Sequence, residues 1–287
     1  MNYLIHNAFH CCKLIIKRRG KKEKSKPKYV MESFLTRMIV QSLEKTLKRI
    51  VPKKSVYLAM DGPAPIAKLY TQRTRRQAAL KKEPSKAFLS SIELTPGTRT
   101  MARIDHEVER FAKICARNSM GGANPIRYFV DGTNVAGEGE VKIFQYLSSL
   151  CDTSKGSSDG FLKDSVLIVG GDSDLIINAF VRTQIPNLYI ETDKKILLMR
   201  GIREKFVNDY LNSEVPNADE RVLYYSRMSL DFAMLAFFQG NDYYPSLLGC
   251  GLTKIYTAYK VAREKISDTD KNSKNQTIRF LVDAEKR

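Results

Sequence analysis

The sequence predicts an α/β fold in which a mostly parallel sheet is flanked by helices, and three observations carry that expectation. Residues 165–176, SVLIVGGDSDLI, contain a continuous apolar run, as a parallel strand covered on both faces requires. Leu175, Ile176, Ile177 and Phe180 then switch to helical spacing, so a glycine turn carrying Asp172 and Asp174 joins a strand to a helix. The same succession of short strand, acidic turn and helix recurs after residues 56–59 and after residues 126–130. In open α/β sheets the carboxyl edge of the strands is where ligands bind. Two acids one residue apart in such a turn suit a hard cation, whereas the plainer reading is an aspartate that caps the helix.

Composition narrows the classes of function. The 287 residues allow one large or two ordinary domains, and a hydrophobic content of 43% suffices for a core. Lys and Arg number 48 against 31 Asp and Glu. The resulting charge of +17 exceeds what solubility needs and points to a polyanionic partner, nucleic acid ahead of an anionic membrane surface. No apolar run reaches the length of a bilayer span. Cys11, Cys12, Cys115, Cys151 and Cys250 are too few and too irregular for a disulfide framework or a zinc site, and they fit a reducing compartment, nuclear or cytoplasmic.

Residues 1–19, MNYLIHNAFHCCKLIIKRR, hold no acid and several basic groups, which raises a mitochondrial transit peptide, although the segment is poor in Ser and lacks the Arg-rich pattern. Residues 20–28, GKKEKSKPK, read as a basic solvated loop, with a nuclear-import signal or a nucleic-acid contact as alternatives. Leu35, Ile39, Leu43, Leu47 and Ile50 mark the apolar stripe of a helix that Pro52 stops. The strand at residues 56–59 ends in Asp61-Gly62-Pro63-Ala64-Pro65, with Pro65 placed to open the next helix. On that helix Lys68, Gln72, Arg75 and Arg76 fall at i, i+4, i+7 and i+8, which sets three cations and an amide on one face beside an acid. Arg73, Lys81 and Lys82 add charge nearby. Such a face suits an anion or a nucleic-acid backbone; a solvated basic helix is the plainer alternative.

The stretch around Thr95-Pro96-Gly97-Thr98 reads as a loop, after which Ile104, Val108, Phe111, Ala112 and Cys115 space a helix with His106 on its surface. The strand at residues 126–130 leads through Asp131-Gly132-Thr133-Asn134 into Gly137-Glu138-Gly139-Glu140 and a helix with the apolar face Ile143, Phe144, Leu147 and Leu150. Glu138 and Glu140 complement the helix dipole, and the two glycines permit close approach of backbone to a ligand. Beyond the Asp172 turn, residues 187–191 and 195–200 are strand candidates, and residues 204–211 a helix. An apolar helix over residues 222–238 ends at a turn containing Asp242, and from Lys265 the chain reads as a polar linker.

Asp61, Glu138, Glu140, Asp172, Asp174 and Asp242 are therefore six acids at the turns of a basic chain. If these turns share one edge of one sheet the carboxylates converge, and their mutual repulsion calls for divalent cations, Mg²⁺ or Mn²⁺ for an all-oxygen site. Two such ions about 4 Å apart activate a water and stabilise the leaving oxygen of a phosphodiester, which is the chemistry of a nuclease.

The blocks MDGPAPIAKLYTQRTRR, LTPGTRTM, VAGEGEVKIFQYL, VGGDSDLI and LDFAMLAFFQGNDYYP, in this order, resemble the amino-terminal conserved region of the Xrn family of 5′→3′ exoribonucleases, from Met1 to about Tyr259. The resemblance implies a PIN-like, flap-endonuclease-like nuclease lobe over residues 1–264, with residues 265–287 a linker toward a second conserved region. It implies that the six acids bind Mg²⁺ or Mn²⁺ and act in catalysis. It further implies that Lys68, Gln72, Arg75 and Arg76 hold the 5′-monophosphate of single-stranded RNA and that His6 stacks on the terminal base. The residues alone suggest no more for His6 than a half-buried histidine near the sheet. A triphosphate or a cap is expected to be excluded by bulk. The family also carries an aspartate and a first strand just before the position of Met1, so the sequence resembles a fragment cut at both ends, expected as it stands to be inactive and to expose strand edges. A flap-type DNA nuclease and an inactive RNA-binding or assembly factor are the alternatives, and the Lys-Gln-Arg-Arg face argues against the first.

Overall fold

A computed structural model describes residues 1–19, 28–82, 90–153, 163–182, 184–192, 195–210, 218–241, 244–247, 249 and 251–270. The chain divides into two compact units, Met1–Tyr146 and Leu147–Arg287, where the sequence groups residues 1–264 as one domain.

In the first unit, residues 1–19 form helix α1 (Asn2–Arg19), which packs against α2 (Lys28–Ile50). Ile5, Phe9, Cys12 and Ile16 recur at three- and four-residue steps and are all buried, so the segment weighed as a transit peptide contributes a core face. That face meets α2, where Leu35, Ile39 and Leu43 are the stripe expected from the sequence, and the same core includes Ile104, Val108 and Ala112 of α4 (Arg99–Ser119), which packs against α2. Burying each such large aliphatic or aromatic side chain stabilises the unit by about 1.5–3 kcal/mol. One charge lies within this core: Glu32 is buried, with Arg103 Nη1 2.7 Å from Oε2 and the Thr100 hydroxyl donating to Oε1 at 3.1 Å. Helix α2 ends at Ile50, two residues before Pro52, which disfavours helical backbone at Val51; Val51 itself sits in the left-handed region at φ +53°. The basic segment 20–27 lies outside the described residues.

Strand β1 (Ser55–Ala59) pairs in parallel with β2 (Arg127–Asp131), Ser55 opposite Arg127 and Ala59 opposite Asp131. The connection between them holds α3 (Ile66–Lys82), a 3₁₀ turn at Ser91–Leu94, and α4, whose first turn is capped by the Thr98 hydroxyl accepting from the Met101 N–H. After β2 comes α5 (Gly139–Thr153).

The second unit holds β3 (Val166–Val169), α6 (Ser173–Phe180), β4 (Leu188–Thr192), β5 (Lys195–Leu198), α7 (Met199–Tyr210), α8 (Ala218–Phe237) and α9 (Leu252–Asp270). Strand β3 pairs in parallel with β4, and β4 pairs antiparallel with β5. The core is aromatic: the Phe180 and Phe232 rings stack at 4.1 Å, Phe232 and Tyr256 at 5.1 Å, and Phe206 stands edge-on to Phe180, Phe232 and Tyr256. Arg203, buried on α7, donates to the carbonyls of Ala179 and Phe180, satisfying the carboxyl end of α6.

Four expectations change. The parallel pairings belong to two sheets, β1–β2 and β3–β4–β5, and not to a single one. Within β3 only Ile168 is buried, while Val166, Leu167 and Val169 are half-buried, so an apolar run did not mean a strand covered on both faces. Met199 and Arg200 open α7 instead of ending a strand. The segment read as a linker from Lys265 continues α9 as far as Asp270, because Ile255, Tyr256 and Tyr259 anchor the helix upstream. Residues 271–287 lie outside the described residues.

Candidate active site

The parallel register of β1 and β2 brings two carboxyl ends to one edge. There the Met60 N–H donates to the Asp131 carbonyl at 2.9 Å, and the two following loops are joined by Gly62 N–H to Gly137 O at 2.8 Å and Gly137 N–H to Pro63 O at 3.1 Å. The approach is too close for any side chain at position 62, where a Cβ would lie 1.7 Å from the Val135 carbonyl oxygen. Gly137 sits at φ +103°, a conformation glycine adopts freely.

These loops set the acids. Asp61 Oδ1 accepts from the Gly139 N–H at 2.7 Å, and the Asp61 N–H donates to the side-chain oxygen of Asn2 at 3.2 Å. Glu138, next to Gly139, is paired with Lys68 of α3, Nζ to Oε2 2.9 Å, both side chains mostly shielded from solvent. Glu140 is half-buried in the first turn of α5. Asp61, Glu138, Glu140 and Lys68 thus lie at one edge of the first unit.

A cation the sequence reading passed over lies beneath them. Lys142 is buried, and its ammonium donates to the carbonyls of Met60 at 2.7 Å and Gly132 at 2.9 Å, tying the ends of β1 and β2 to α5. Burial pushes its pKa down, while Asp131, Asp61 and Asp105 oppose that shift by favouring the charged form. The signal available was a lysine between Glu140 and the apolar face at Ile143 and Phe144, which reads equally well as a surface charge.

Of the basic face on α3, Gln72 and Arg76 line a cavity of about 570 Å³ together with Pro63, Thr98, Asp105 and Thr133, while Lys68 and Arg75 are not among its lining residues. Arg76 Nη2 donates to Gln72 Oε1 at 3.0 Å, and Arg73, Arg75 and Lys81 are exposed. Asp105 of α4, which lines the same cavity, accepts from the Thr133 N–H at 3.1 Å and from the Thr133 hydroxyl. His106 is exposed on α4 beside Glu107, as expected.

Asp172 and Asp174 follow β3 in the second unit. Asp172 is the N-cap of α6, accepting from the Asp174 N–H at 3.3 Å, which is the plainer role weighed above. Asp242 lies outside the described residues. His6 is exposed on α1 and not half-buried; partial desolvation and the neighbouring His10 lower its pKa, opposed by Asp61. Among the described residues no three His, Cys, Asp or Glu side chains gather so as to hold a metal ion.

The family described as XRN 5′-3′ exonuclease N-terminus matches residues 1–193. The 5′-3′ exoribonuclease 1 of Saccharomyces cerevisiae is 27% identical over 283 residues, covering 88% of this chain and 18% of that protein. Its counterpart in Schizosaccharomyces pombe is 27% identical over 296 residues, covering 91% of this chain and 21% of that protein. The protein of the same name in Homo sapiens is 27% identical over 246 residues, covering 73% and 14%. The chain therefore spans between 14% and 21% of the length of these curated relatives.

Proposed function

This chain belongs to the family of the XRN 5′-3′ exonuclease N-terminus, and from that premise we propose that it hydrolyses the phosphodiester bonds of 5′-monophosphorylated single-stranded RNA from the 5′ end, with Mg²⁺ or Mn²⁺ as cofactor. The observation that carries the reading is the Lys68–Glu138 ion pair beside the Asp61–Gly139 hydrogen bond. Through it the basic helix α3 and the acids after β1 and β2 form one place, where an RNA end can be gripped next to the groups that act on its first phosphodiester. The charge of +17 and the names of the relatives support the same reading.

In this reading Gln72 and Arg76, with Arg75 and Lys68 on the same helical face, take the terminal phosphate by charge-assisted hydrogen bonds. His6, its pKa lowered, presents a neutral ring to the terminal base. The donor chemistry suits a hard divalent cation, because Asp61, Glu138 and Glu140 offer only carboxylate oxygen and Glu138 already takes a cation in the form of the Lys68 ammonium, although the three would have to draw together around it. In this reading Asp172, Asp174 and Asp242 are cation ligands as well. A bound ion supplies Lewis acidity toward the phosphoryl oxygen and a nucleophilic water at neutral pH. The chain's own share is positional: the joined loops hold Asp61 on the Gly139 N–H, and the Lys142 ammonium offsets part of the repulsion between neighbouring acids.

One RNA body with four 5′ ends (hydroxyl, monophosphate, triphosphate and cap) tests the reading, each incubated with Mg²⁺ or with EDTA. The monophosphate end should decay fastest, and EDTA should stop decay while leaving binding. Arg76→Ala should slow decay of that end by about 10- to 100-fold, from a charge-assisted contact worth about 1.5–3 kcal/mol, with little change on the hydroxyl end. Equal decay of all four ends points instead to a structure-specific nuclease, and binding without decay to an RNA-binding factor.

A further inference from the structure

The cavity beside α3 is lined by groups of both kinds: Arg76 and Gln72 of α3, with a guanidinium and an amide, and Asp105 of α4, around one 570 Å³ space, enough for one nucleotide. The Asp105 carboxylate is held in place: both its oxygens accept from the Thr133 N–H, and one of them also from the Thr133 hydroxyl. A negative charge is therefore held at the same cavity as the cation that would take a terminal phosphate.

We propose that Asp105 is a specificity-determining residue that limits the RNA end to a single phosphate by electrostatic repulsion. The inference rests on the reading of α3 as the grip for a 5′-phosphate. A monophosphate bound by Arg76 keeps its charge beside the guanidinium. Each further phosphate extends negative charge into a cavity that the Asp105 carboxylate also lines, and like charges brought together cost binding. This makes charge a cause of exclusion beyond the bulk argued from the sequence.

The test is metal-free binding, in EDTA, of one RNA body with a 5′-hydroxyl, monophosphate or triphosphate, or with a monophosphate esterified by an uncharged chain about as long as a pyrophosphate. The unmodified protein should bind the triphosphate more weakly than the uncharged extension. In Asp105→Asn the ratio of triphosphate to monophosphate Kd should fall by about tenfold or more, because the like-charge contact is removed, and in Asp105→Glu it should not fall. A thermal melt of each variant checks the fold. If Asp105→Asn does not fold, the comparison of triphosphate with uncharged extension in the unmodified protein decides: equal rejection of the two means that size alone excludes and overturns the proposal. An unchanged ratio in folded Asp105→Asn overturns it as well, while the phosphate grip stands. No preference for monophosphate over hydroxyl in the unmodified protein overturns the grip itself, and the proposal with it.

Discussion

Asp172 shows how a single residue serves a local and a proposed chemical role together. Its side chain caps α6 by accepting from the Asp174 N–H, a job asparagine performs about as well, whereas alanine forfeits about 1 kcal/mol. Asp172→Asn should therefore melt at the temperature of the unmodified protein and bind RNA as before, yet cleave far more slowly, because the lost charge matters only to a cation. Thermal melting, filter binding and single-turnover decay on one preparation check this, and undiminished cleavage would remove Asp172 from the metal site. At this scale the acids, the Lys68-Gln72-Arg75-Arg76 face and the cap were legible, since each is written in residues close in the chain. Lys142 and Asp105 were not: a lysine and an aspartate on helices are ordinary surface residues until folding buries one under Met60 and Gly132 and brings the other to the cavity that Arg76 lines.

Among the elements, β1, β2 and α5 form one unit because Lys142 ties the two strand ends to the helix. Lys142→Met keeps much of the volume but strands two carbonyls that share a donor. The loss should be about 1–3 kcal/mol for each carbonyl left unsatisfied, read as a lower urea midpoint. An unchanged midpoint would mean that water replaces the ammonium and that the tie is dispensable. Most helices and strands were legible from periodicity, with ends displaced by a few residues. The exceptions have physical causes. Helix α1 mixes His, Asn and Lys with its apolar face and has no acid in its first turn, so its pattern was weak until α2 gave the face something to bury against. Strand β3 looked like a central strand because an apolar run reports what side chains tolerate and says nothing of how many neighbours arrive. The extension of α9 to Asp270 carries polar residues that a helix anchored upstream keeps in register.

For the whole molecule, the charge of +17 predicts that RNA binding weakens steeply with salt. For a single strand the slope of log K against log salt is about −0.7 per phosphate neutralised, so Arg73→Ala and Arg75→Ala should each flatten it by about 0.7 if they touch the backbone. Anisotropy titrations at several salt concentrations measure this; slopes identical to that of the unmodified protein would place both side chains off the RNA path. By itself the sequence determined the family's motif blocks, the excess of positive charge, and the repeated passage from strand through acidic turn to helix. These depend on composition and on interactions within a few residues. The tertiary structure alone decided that the loops after β1 and β2 interlock, that β3 belongs to a different sheet, and that Arg76 and Asp105 face one cavity. Such pairings join residues far apart in the chain, and short-range propensity carries no term for which distant partner a strand end or helix face will meet.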